Sequence, residues 1–159
     1  MIRAARTVYL VALSLWTGGL AAISFIVAPA AFKTAPSRQI AGQMVGACLR
    51  NFGKVEIVCG ILAFFASLLL YIRRPAGTRQ GFTRVILVFL MLVLAISYVS
   101  WAYPDAAATR LKLEQMPDDV IVQEHFARIH RLSVILVMAN ILLGSGLLIC
   151  AGARSADGP

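Results

Sequence analysis

The sequence predicts an all-α integral membrane protein: a four-helix bundle with a surface amphipathic helix and an extramembrane helical hairpin. Three observations carry this reading. Of the 159 residues, 60 % are hydrophobic and 14 % are charged, against roughly 25 % charged in an average soluble domain. Four blocks, Thr7 to Phe32, Ile57 to Ile72, Val85 to Tyr103 and Leu132 to Ala153, contain no charged side chain, and about 20 apolar residues cross a bilayer core. The basic residues behind the net charge of +8 sit at the ends of these blocks, as membrane-flanking arginine does, and not in the aromatic-interleaved patch of a nucleic-acid surface. The chain is read as one transmembrane domain, 1–159, with spans at about 7–32, 54–72, 84–103 and 131–152.

Arg3 and Arg6 before the first block imitate a signal peptide, but a signal h-region is only about 7–15 residues long. The block is longer, so it is expected to stay as the first span. Ser14, Gly18 and Ala22 recur every four residues along it and form a candidate packing groove, because small residues let membrane helices approach closely. Pro29 is expected to bend or end this helix. Ser37 stands at an N-cap position ahead of "SRQIAGQMVGACLRNF", whose Ile40, Met44, Ala47 and Leu49 to Phe52 give a partly apolar face suited to the membrane surface.

The second block is the shortest, and extending it to reach across a bilayer brings Glu56 into or near the membrane. An interfacial pair with Lys54 is the plain reading of Glu56; lining of a solute path is the other. Cys59, Ala63 and Ser67 repeat the small-residue spacing here. After the third span, Pro104 is followed by Asp105, a cap for a helix through Met116. Pro117 then breaks that helix, and Asp118 can cap the next one, running through His130 into the fourth span. No internal repeat or low-complexity segment is visible.

Four spans put both ends on one side. That side carries Arg3, Arg6, Arg73, Arg74, Arg79, Arg84 and Arg154 in short segments, with Asp157; the other carries Lys33, Arg38, Arg50, Lys54, Arg110, Lys112, Arg128 and Arg131 in longer ones. Short basic loops decide orientation, so the termini are expected in the cytoplasm, with a bacterial plasma (inner) membrane as the location.

On the fourth span His130, Ser133, Val137, Asn140 and Gly144 fall within one narrow arc at about 100° per residue. Polar groups in lipid face the bundle interior or a wet cavity. With Arg110 and Glu124 from the outer hairpin, His130, Ser133 and Asn140 make the candidate polar cluster, either structural glue or a ligand site.

Cys48, Cys59 and Cys150 form no CxxC pair, which argues against a disulfide framework or a zinc site. No GxSxG or HExxH motif is present. The expected protein is therefore non-enzymatic and cofactor-free, with the lipid bilayer, and possible further copies of itself, as partners and no nucleic acid. Two alternatives stand beside it. One is a haem- or copper-binding redox protein using His130, with Met44, Met91 and Met138 as soft ligands; His125 turns about 140° away from His130 on the helix. The other is an oligomeric small-solute transporter or channel.

The segments "LSLWTGGLAAISFIVAPAAF", "APSRQIAGQMVGACLRNFGKVEIVCGIL" and "HFARIHRLSVILVMANIL" resemble the domain-of-unknown-function 4149 family of transmembrane protein 205-like membrane proteins. Trp16-Thr17-Gly18-Gly19, Ala28-Pro29-Ala30, Phe32, Ala41-Gly42, Pro104, Arg110 and His130-x-x-Ser133 carry the resemblance. It implies a four-helix membrane protein without an established biochemical activity. The family's asparagine falls at the position of Val137, one turn before Asn140. The Trp-x-Gly-Gly opening alone also resembles copper-resistance D-type proteins and haem-binding four-helix oxidases.

Overall fold

A computed structural model describes residues 1–73, 79–116 and 118–156. The described residues are 95 % helical, in elements α1 (Ile2–Ala22), α2 (Ala28–Thr34), α3 (Arg38–Ile72), α4 (Arg79–Ser97), α5 (Tyr103–Gln115) and α6 (Val120–Ala156). Four helical rods, Ile2–Thr34, Arg38–Ile72, Arg79–Gln115 and Val120–Ala153, are long and apolar enough to span a membrane. The charge-free blocks locate all four. The rods extend well past them, because an apolar block marks the edge of the hydrocarbon layer and not the end of the helix.

Several expectations about the outer segments are corrected by this continuity. Residues 38–52 are helical, with Ser37 Oγ accepting from the Ile40 amide at 3.2 Å. They are not a separate surface helix, however, but the first half of the 35-residue α3. Neither Pro29 nor Pro104 ends its rod. Each follows a π-helical turn, Ile23–Val27 and Tyr98–Ala102, whose wider ring accommodates a residue that lacks an amide and would crowd the preceding carbonyl. Asp105 consequently opens no helix. Its carboxylate instead accepts from Thr109 Oγ1 at 3.5 Å and meets His125 Nε2 at 3.3 Å. Asp119, one residue beyond the expected Asp118, caps α6 by accepting from the Ile121 and Val122 amides at 2.9 and 3.3 Å. Arg74, Pro117 and Asp157 lie outside the described residues.

In the bundle α1 packs on α3 and α6, and α4 packs on the same two helices, so α1 stands opposite α4 and α3 opposite α6. The interior face of α1 is Ala5, Tyr9, Ala12, Leu13, Trp16, Thr17 and Leu20. The Ser14–Gly18–Ala22 groove therefore looks outward: all three residues are exposed, and nothing lies within 4 Å of a Cβ built on Gly18. The aromatic rings of Tyr9 and Trp16 claim the interior instead. On α3 the expected stripe is buried: Cys59, Ala63 and Ser67 all face the core. Ser67 Oγ donates to the Phe64 carbonyl at 2.8 Å, which settles its hydroxyl within its own helix.

The two halves of the chain follow one plan that the sequence conceals. Each is a hairpin of an outgoing rod with a π turn and a proline, a capped reversal, and a long returning helix. The π turns begin at Ile23 and Tyr98 and the prolines are Pro29 and Pro104, both 75 positions apart (98 − 23 and 104 − 29). A Cβ on Gly60 would press on Trp16 of its own hairpin and Leu92 of the other; one on Gly144 would press on Met91 of its own hairpin and Thr17 of the other. Adding 75 to Trp16 and Thr17 gives Met91 and Leu92, so these contacts interchange. The two hairpins are therefore related by an approximate twofold axis running along the bundle.

Candidate functional site

A cleft opens on the side of the two reversals, enclosing about 640 Å³. Its walls come from the first π turn and α2 (Ile23, Ala28, Phe32), the first half of α3 (Gly42 to Arg50), α5 and the beginning of α6; Tyr98, Val137 and Met138 also line it. Arg110 projects into this space because Gly42 and Gly46 leave room. A Cβ on Gly42 would sit 3.1 Å from Arg110 Nη2, and one on Gly46 4.0 Å from Nη1. The guanidinium lies 5.6 Å from the Phe126 ring centroid, and the His130 ring stacks on the same phenyl at 5.9 Å and 12°. Phe126 thus ties the Arg110 and His130 side chains together across α5 and α6.

Arg110 forms no ion pair among the described residues. The carboxylate in the cleft, Glu114, accepts a hydrogen bond from Gln43 Nε2 at 3.2 Å. Ser133 Oγ, in the wall, is buried with no hydrogen-bond partner among the described residues. The cleft therefore offers an available guanidinium, an unsatisfied hydroxyl and a half-exposed to exposed imidazole above a mostly apolar lining. Concave, largely apolar space with a few convergent polar groups is the general form of a ligand site.

The structure divides the candidate cluster. Arg110, His130 and Ser133 line the cleft together. Glu124 is exposed and does not line it, being on a different side of α6. Asn140 is buried at 2 % exposure, below the cleft in the bundle interior, with Oδ1 unsatisfied among the described residues. Glu56 also lies elsewhere than expected. It is 3 % exposed while Lys54 is exposed, and no ion pair joins them among the described residues. Residues two apart on a helix point to opposite sides. The signal that would have found Glu56 is the α3 stripe itself: stepping back three residues from Cys59 arrives at it.

Among the described residues no three His, Cys, Asp or Glu side chains converge to hold a metal ion. His125 is engaged with Asp105, leaving His130 as the histidine in the cleft. A haem or copper there would draw a single imidazole from this chain, and the charge chemistry around it is that of a cation set for an anion.

The family model "Domain of unknown function (DUF4149)" matches residues 11–117. The chain belongs to the DUF4149 family. That match takes in Trp16 through Gly19, Gly42, Glu56 and Arg110, and stops before His130, Ser133 and Asn140. No curated protein and no solved structure matches the chain. Family membership fits a multi-pass membrane protein of unknown function; the structure adds reasons for the motif residues. Gly19 lets the Phe52 ring lie against α1, Trp16 fills the core beside Gly60, and Gly42 clears space for Arg110.

Proposed function

We propose that this protein acts by binding and not by catalysis, and that its cleft holds a single-chain amphiphile with an anionic head group. The observation that carries the reading is Arg110: a guanidinium held in a largely apolar cleft by Phe126, with no ion pair among the described residues. Arg50 adds a second positive charge to the lining, and Ser133 Oγ a hydrogen-bonding group. Guanidinium pairs bidentately with carboxylate or phosphate. Phe32, Leu49, Val134 and Val137 offer an apolar bed for the chain. A volume near 640 Å³ falls inside the roughly 300–1,000 Å³ of small-molecule pockets. The arginine-rich 73–84 segment supports a setting in the bacterial plasma membrane with cytoplasmic termini, which places the cleft on the outer side.

The test is equilibrium binding of a fluorescent fatty acid to the full chain in lipid nanodiscs. Arg110→Ala is expected to weaken binding about tenfold, equivalent to ~1.4 kcal/mol, and the matching fatty alcohol to compete poorly. Equal competition by acid and alcohol would show that no head-group charge is read. A Soret band in protein expressed with ample haem, lost in His130→Gln, would replace this reading with the redox one.

A further inference from the structure

The bundle interior holds polar groups that the cleft does not use. Glu56 and Asn140 are buried at 3 % and 2 % exposure, and Trp16 Nε1, Thr17 Oγ1 and Asn140 Oδ1 have no hydrogen-bond partner among the described residues. Their depth follows from the contacts at two glycines. Gly60 lies level with Trp16 and Leu92, and Gly144 level with Thr17 and Met91. These residues make one layer across all four rods. One helical turn towards the reversals, the next layer contains Leu20, Glu56, Ala95 and Asn140, all buried. Leu20, Ala95 and Asn140 lie well inside the charge-free blocks 7–32, 85–103 and 132–153, so this layer is within the hydrocarbon zone.

Glu56 and Asn140 stand on the opposed helices α3 and α6 and are exchanged by the approximate twofold relation, as Gly60 and Gly144 are. An ionised carboxylate without a cation at such a depth is strongly disfavoured, and intramembrane acids mark ion or proton sites. No lysine, arginine or histidine pairs with Glu56 among the described residues. We propose that Glu56, Asn140 and Thr17 form an intramembrane site for one monovalent positive charge, a proton or a sodium ion. The oxygen set of carboxylate, carboxamide and hydroxyl suits a hard cation. Tyr98 links this layer to the cleft: it lines the cleft and lies within electrostatic reach of Glu56, on the π turn of the third rod. Among the described residues, the titratable groups that feel the charge of Glu56 are Cys59 on its own helix and Tyr98 from the second hairpin. α1 presents Trp16, Thr17 and Leu20, which do not titrate.

Infrared difference spectra of the full chain in nanodiscs, over a pH series and with sodium exchanged for choline, read carboxyl protonation; thiol and phenol titration fall outside the C=O band, and the other carboxyl groups of the chain, common to the wild type and Glu56→Gln, cancel when the two sets of spectra are subtracted. A band that responds to pH or sodium is expected in the wild type, absent from Glu56→Gln and displaced in Glu56→Asp. A response to pH alone identifies the proton; loss of the protonated band on adding sodium at fixed pH identifies sodium. Asn140→Ala retains the acid and is expected to move the midpoint roughly threefold or more in proton or sodium activity, the worth of about one hydrogen bond. The proposal fails if the responsive band survives in Glu56→Gln, if no band responds to either ion, or if Asn140→Ala leaves the midpoint unmoved.

Discussion

After its π turn the first outgoing rod continues for only the seven residues of α2 before Ser37 turns it back; the second continues for the thirteen of α5 before Asp119 does the same. Up to and including their π turns and prolines the hairpins are close counterparts, with matching glycine contacts. Beyond that point the longer second arm reaches over the first hairpin and brings Arg110 to Gly42 and Glu114 to Gln43. The cleft thus arises where the two halves cease to match. Scaffold comes from the shared part of the plan and chemistry from the departure.

The largest expected effect tests the shared part. Gly60→Leu and Gly144→Leu should each lower stability in detergent by about 3 kcal/mol or more, through overpacking against Trp16 and Leu92 or Thr17 and Met91. Thermal unfolding that spares one and not the other would break the equivalence of the hairpins. Next come the reversals: Ser37→Ala and Asp119→Ala should each cost roughly 1 kcal/mol as lost N-caps, and the Asp119 change should also loosen fatty-acid binding, because only the second arm carries Arg110. Pro29→Ala and Pro104→Ala should change stability by less than about 1 kcal/mol, since the π turns already absorb the strain of an interior proline. The smallest effect belongs to Gly18→Leu and Ala22→Leu, within about 0.5 kcal/mol of wild type, as both positions face outward. A clear loss at Gly18 would mean that this face is covered, by a second copy of the chain.

The four spans were legible because uninterrupted apolar blocks admit few other structures. Which face of a span turns inward was not. Small residues at four-residue intervals occur on both α1 and α3, yet only the α3 set is buried; on α1 the large rings of Tyr9 and Trp16 fill the centre and Gly18 is left outside. Spacing defines a stripe, and only the neighbouring rods determine whether it is enclosed. Arg110, His130 and Ser133 were recognisable as a group because each is polar beside an apolar run. Glu56 is near Lys54 in sequence, yet no ion pair joins them among the described residues, and Glu124 is near His130, yet it does not line the cleft. In both pairs, helical rotation separates what the sequence sets side by side. The twofold plan was hidden because contact geometry, and not residue identity, is what the halves share.

That near-symmetry bears on what the centre of the bundle can contain. Two identical hairpins joined about the same axis would place one Glu56 opposite another, two like charges facing each other where little water screens them. Such a pair would repel, or would share one proton between them. With a carboxamide as the counterpart, the single chain holds one acid and one neutral oxygen donor there, so a single positive charge brings the centre to neutrality. The fused form of the fold can therefore titrate in one step where a symmetric dimer of its first half would need two.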